Sequence, residues 1–155
     1  MAEEQEGSMD QADSIAGEQK RIEDDFALLE DTRDKYEFII ELGKELKPMP
    51  DEQKIAANLV RGCQSQVWMT AELDPASGRL ALRADSDAII SKGLVALVLR
   101  LYDKRLPAEI LANPPDVFEA IGLGRLITPG RSNGLYAMVN RVRQFAEGFG
   151  QAAKA

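Results

Sequence analysis

Residues 66–84 read QVWMTAELDPASGRLALRA, and the period of two on either side of the central DPASG decides the fold. Val67, Met69, Ala71 and Leu73 alternate with Gln66, Trp68, Thr70 and Glu72, and Leu80, Leu82 and Ala84 alternate with Arg79, Ala81 and Arg83. Successive side chains of a strand point to opposite faces, so each half offers one apolar face to a core. Asp74-Pro75-Ala76-Ser77-Gly78 joins the halves as a five-residue loop, which predicts an antiparallel hairpin. Residues 58–62 predict a further strand just upstream, with Cys63 at the connection. Trp68 falls on the polar-alternating face, so it is either covered by a helix or exposed as an anchor for a partner.

Outward from the hairpin the period changes to that of a helix. Residues 87–102 (DAIISKGLVALVLRLY) are apolar nearly all round, which predicts a buried spine helix capped by Ser86 or Asp87. Short helices are expected over 107–111 and, after Pro114-Pro115, over 116–121. A last helix, expected to start near Ser132 or Asn133, carries the stripe Leu135, Met138, Val139, Val142, Phe145 and Phe149. Upstream, Ile22, Phe26 and Leu29 recur at helical spacing. Tyr36, Ile39, Ile40, Gly43 and Leu46 do so again before Pro48 and Pro50. Residues 51–57 read as a polar loop or a short turn. This order predicts an α+β fold: a small antiparallel sheet of about three strands with helices packed on one face. Residues 1–19, rich in Glu, Gln, Asp, Ala and Ser, predict a disordered acidic leader, residues 20–150 a single domain, and residues 151–155 a disordered tail.

Composition removes several chemistries. The chain has no histidine and one cysteine among 155 residues. Serine or cysteine nucleophiles paired with a histidine base, histidine-ligated metals, an internal disulfide and an iron–sulfur cluster held by four thiolates are all excluded in their usual forms. A lone thiol, no secretory leader pattern and no long apolar run point to a reducing cytoplasmic setting without a membrane span. Residues 1–35 carry 12 acidic and 4 basic side chains, leaving 14 acidic and 15 basic over the rest. The folded part is therefore nearly neutral, which argues against nucleic acid as the partner.

That leaves Cys63, in NLVRGCQSQVW. Gly62 suits a tight turn that presents a side chain, and Gln64, Ser65 and Gln66 are polar, unlike the setting of a core cysteine. Free cysteine is nonetheless among the most buried residue types, so residue type alone leaves a structural and a reactive role open.

The run Gly62-Cys63-Gln64-Ser65-Gln66-Val67-Trp68 resembles the signature of the SufE family, the sulfur acceptors that work with SufS-type cysteine desulfurases. The likeness extends in order through Tyr36, Glu41-Leu42-Gly43-Lys44, Asp85-Ser86-Asp87-Ala88, Lys92-Gly93-Leu94, Thr128-Pro129 and Arg131-Ser132-Asn133-Gly134-Leu135, across roughly residues 22–147. Gly130 departs from it, since relatives often carry Ser or Thr there. The resemblance implies a SufE/IscU-like fold and a sulfur carrier that is not itself an enzyme. Cys63 would accept a persulfide sulfur from a SufS-like or CsdA-like desulfurase, stimulate that partner, and yield the sulfur to a SufBCD-like scaffold that assembles iron–sulfur clusters. Pyridoxal phosphate would belong to the desulfurase, and the carrier would hold no cofactor and no metal. It would be a monomer or a weak homodimer. Such a transfer resembles thiol–disulfide exchange and needs no histidine base and no second cysteine. The alternative is a stand-alone cysteine-dependent enzyme, a thiol peroxidase or hydrolase.

The resemblance also suggests supporting roles. Arg131 would stabilise the thiolate or grip the desulfurase through a bidentate contact, against the plain reading of a surface arginine near a helix start. Asp85 and Asp87 would either cap a helix or meet the partner beside the cysteine loop. Gln64, Ser65 and Gln66 would shape the loop through its own backbone. A persulfide is easily reduced or oxidised, so the loop is expected to tuck Cys63 against the domain at rest and swing out about Gly62 on docking.

Overall fold

The computed structural model describes residues 14–154, with side chains through Gly150. The first helix, α1 (Ile15–Ala27), opens on Ser14, whose Oγ accepts from the Gly17 amide at 3.0 Å, and buries Ile15, Ile22 and Phe26. It begins well before Ile22 and takes in residues 15–19, with Ser14 as cap, which composition had assigned to a disordered leader; residues 1–13 of that leader lie outside the described residues. The reason is tertiary. Ile15 is 0% exposed, and Glu18 pairs with Arg100 and Arg21, so charges that look solvated in sequence have partners in space.

Helix α2 (Thr32–Lys44) is capped by Asp31, which accepts from the Asp34 amide at 2.8 Å. It packs along α3 (Ile89–Tyr102), the apolar spine. Gly43 and Gly93 make that approach possible. A Cβ on Gly93 would lie 2.2 Å from the Ile39 carbonyl oxygen, and one on Gly43 2.7 Å from the Gly93 nitrogen. No side chain fits where backbone meets backbone this closely.

Strand β1 (Val67–Leu73) runs antiparallel to β2 (Leu80–Ser86), with Val67 opposite Ser86 and Leu73 opposite Leu80. The turn is thus residues 74–79, closed by the Asp74 amide on the Arg79 carbonyl at 2.9 Å, with the Asp74 carboxylate holding Ala76 and Ser77. Val67, Met69, Leu80, Leu82 and Ala84 are buried on one face, the face period two assigns to the core, and α3 packs against β2. Among the described residues the sheet has two strands, not about three. Residues 58–62 supply a single bridge, Leu59 to Trp68, after a 3₁₀ turn at Ala56–Asn58. That turn and Gly62, at φ 97°, leave too short an extended run for a strand.

Three short helices follow: α4 (Pro107–Ala112), α5 (Asp116–Ala120) and α6 (Leu123–Leu126). The long helix α7 (Pro129–Lys154) starts earlier than expected and ends later. Thr128 is its cap: its hydroxyl accepts from the Arg131 amide at 3.3 Å, its carbonyl accepts from Ser132 at 2.9 Å, and proline fills the first helical position. At the other end the helix runs through residues 151–154, which were expected to be disordered, because alanine, glutamine and lysine sustain helix. With helices on one face of a small antiparallel hairpin, the architecture is α+β.

Candidate functional site

The loop carrying Cys63 hangs between the sheet and the first turns of α7. Gly62 adopts φ 97°, a left-handed backbone that side chains rarely accept, and thereby turns Cys63 toward the helix. The Cys63 Sγ donates to the Gly134 carbonyl at 3.6 Å. A Cβ on Gly134 would sit 3.3 Å from that sulfur, so the helix offers bare backbone where the thiol rests. Cys63 is half-buried, and burial pushes its thiol pKa up. Together with the other residues of 59–66 it lines a recess of about 270 Å³.

The downstream arm of the loop is pinned by strand β2. The Gln66 amide donates to Asp87 Oδ1 at 3.0 Å, and the Asp87 amide returns to the Gln66 carbonyl at 3.3 Å. Ser86 Oγ donates to the same carbonyl at 2.8 Å. Neither Ser86 nor Asp87 caps α3. Ala88 holds the cap position without a side-chain bond, and both polar residues serve the cysteine loop or the backbone beside it.

Asp85 does something else. At 3% exposure it is buried, opposite Trp68 in the sheet register, which leaves it neither a cap nor a partner contact. It accepts from the Met49 amide at 3.2 Å and the Ser86 amide at 2.8 Å, and pairs with Lys54 at 3.5 Å and Lys92 at 3.9 Å. Lys54 also stands 5.6 Å above the Trp68 ring. Trp68, 8% exposed, is thus no exposed anchor: the strap of residues 49–60 lies on it through Lys54 and the Leu59 bridge. Asp85 holds that strap, which leads directly into Gly62 and Cys63.

Gln64 reaches α7, where its Oε1 accepts from Thr128 Oγ1 at 3.4 Å. Arg131 lies on the same first turns, between two glycines that touch the loop, and its Nε is buried without a hydrogen-bond partner. Ser65 is half-buried. The structure therefore gathers Gly62, Cys63, Gln64, Gln66 and Asp87 at one place, with Arg131 on the adjoining turn. Sequence reasoning left Lys54, Thr128 and Gly134 without roles and gave Ser86 only that of a helix cap. Thr128 and Gly134 stand in the quoted blocks as their only signal, and Lys54 carries none. Among the described residues no group of three or more acidic or cysteine side chains is placed to hold a metal ion.

Fold and site together define a small α+β domain that presents one cysteine on a loop turned at a glycine. A match to the SufE family, described as an Fe-S metabolism associated domain, covers residues 20–146, and the chain belongs to that family. It is 42% identical over 130 residues to a SufE-like protein of Rhizobium etli, covering 82% of this chain and 88% of that one. It is 43% identical over 119 residues to a SufE-like protein of Synechocystis, covering 77% and 74%. The fold is shared with a hypothetical protein from Thermus thermophilus, with TM-score 0.70 and 21% identity over 85% of this chain and 95% of that one. No helix among the described residues is long and apolar enough to cross a membrane.

Proposed function

We propose that the chain is a cytoplasmic sulfur carrier that takes persulfide sulfur from a SufS-like or CsdA-like cysteine desulfurase onto Cys63. The Cys63 thiolate attacks the outer sulfur of the partner's persulfide. A new S–S bond forms at Cys63, the bond between that sulfur and the partner's cysteine breaks, and the partner leaves as a thiolate. No electrons are gained or lost overall, and no base beyond solvent is needed once the thiol is exposed. The pyridoxal phosphate that frees sulfur from cysteine belongs to the desulfurase. The carrier then yields its sulfur to a SufBCD-like scaffold for iron–sulfur clusters, and its engagement stimulates the desulfurase.

The observation that carries this reading is the resting state of Cys63: half-buried against Gly134 on the turn that Gly62 makes, with burial pushing its thiol pKa up. A stand-alone cysteine enzyme needs the reverse, a thiol whose pKa is held down by a neighbouring cation or base. A carrier gains from a thiol that stays unreactive until a partner draws it out. The unpaired Nε of Arg131 adds a buried cationic donor beside the loop, suited to an anionic persulfide once it forms. The test is intact-mass measurement after mixing the chain with a purified desulfurase and free cysteine. A one-sulfur adduct that is absent from Cys63→Ser is expected; an unmodified native chain would overturn the proposal.

A further inference from the structure

The Cys63 loop meets the first turns of α7 through Cys63 on Gly134 and, separately, through its neighbour Gln64. Gln64 is exposed, so nothing about core packing requires its long side chain to lie where it does. It lies across Gly130. A Cβ built on Gly130 would fall 2.2 Å from Gln64 Cδ and 2.3 Å from its Nε2, which means the amide occupies the space a side chain at 130 would take. The same amide is held at its oxygen by the Thr128 hydroxyl at 3.4 Å. Thr128 is already fixed, because its hydroxyl caps α7 by accepting from Arg131. The anchor is therefore rigid, while the Gln64 side chain that reaches it is flexible. The two contacts, Cys63 on Gly134 and Gln64 on Gly130, are one helical turn apart on α7 and adjacent in the loop.

We infer that Gln64 is a positioning residue that latches the cysteine loop shut, with the bare backbone of Gly130 as its seat. Closing the latch seats Cys63 against the Gly134 carbonyl; releasing it lets the loop turn about Gly62. Because the bond is a single side-chain contact at the surface, it holds the closed loop only weakly, and a docking partner can displace it. A side chain at position 130 evicts the Gln64 amide without disturbing the backbone, since the atoms it meets belong to the far end of a flexible side chain. The inference deepens the carrier reading and rests on it for its purpose, but the latch itself is a matter of thiol accessibility.

The experiment measures the alkylation rate of Cys63 by iodoacetamide at neutral pH in the full chain, with no desulfurase present. Gln64→Ala and Gly130→Ser are compared singly and together. Gly148→Ser is the control, on the same helix at a glycine with open space around it. Each latch variant is expected to react about five-fold faster than the native chain, the worth of one weak side-chain hydrogen bond. The double variant should react no faster than the faster single, because both remove the same contact. The control should match the native rate. Native rates in both latch singles, or effects that multiply in the double, would overturn the latch. A native chain that takes sulfur from a desulfurase while its latch variants alkylate at native rates would sink the latch and leave the carrier standing. Faster variants on a chain that never takes sulfur would do the reverse.

Discussion

The crossing of α2 and α3 and the loop of Cys63 are both built on glycine, and they use it for opposite ends. At Gly93 a Cβ would strike the Ile39 carbonyl at 2.2 Å, so the glycine exists to let two helices lock backbone to backbone. At Gly62 the nearest atom to a Cβ is the Ala137 methyl at 3.5 Å, an ordinary contact, and the glycine exists for its φ of 97°. The first region is held by packing over whole helix faces. The second is held by separate polar contacts: Cys63 to Gly134, Gln64 to Thr128, and Gln66 to Asp87. Packing on that scale is lost only with the fold, whereas single hydrogen bonds of about 1 kcal/mol each can be exchanged for contacts with a partner. The contrast separates stability from reactivity along one chain.

The sharpest way to break the contrast is Gly93→Ala. The added methyl meets backbone that has nowhere to go, and a loss of about 3 kcal/mol or more is expected in denaturant unfolding. A fall of a few tenths would mean the crossing is not locked as described. Next in size is Asp85→Ala, which strands the Met49 and Ser86 amides and takes the carboxylate away from Lys54 of the strap and Lys92 of α3. It should cost about 2 to 3 kcal/mol. Asp87→Ala, two residues on but exposed, should cost under about 1 kcal/mol while raising the alkylation rate of Cys63. Equal stability losses from the two would erase the distinction between strap anchor and loop anchor.

The smallest effect is in pH. Burial pushes the Cys63 thiol up, so the closed loop binds its proton more tightly than the open one. The closed loop's advantage is then fully present below the ordinary thiol value and is lost as pH rises through the raised one. The midpoint of the alkylation profile should lie higher for the native protein than for the same chain in denaturant. With one cysteine in the chain the reading is unambiguous, and coincident midpoints would deny the tuck.

How much of this was legible beforehand follows from range. The hairpin declares itself through its period of two and the spine helix through its long apolar run, because the residues that make each are neighbours. The start of α1 does not, since the groups that hold its first turns, Arg100 and Glu109, come from far down the chain. The failed third strand was hidden in the backbone of Gly62 and in a 3₁₀ turn, neither of which leaves a pattern. At the site, Cys63 and its polar neighbours stood out through resemblance to a known signature. Asp85 and Asp87 looked equivalent, two acids around a serine; only the register, which sets Asp85 opposite Trp68 under the strap, tells them apart. Arg131 gained an unpaired buried nitrogen that no sequence pattern reports.

Hydrogen exchange with and without a cysteine desulfurase tests the division between frame and loop most directly. Faster exchange across residues 61–66 on adding the desulfurase, with the α2–α3 crossing around Ile39, Gly43 and Gly93 unchanged, is the predicted result. Exchange in residues 61–66 that stays as it was would contradict a loop held shut at rest and opened by its partner.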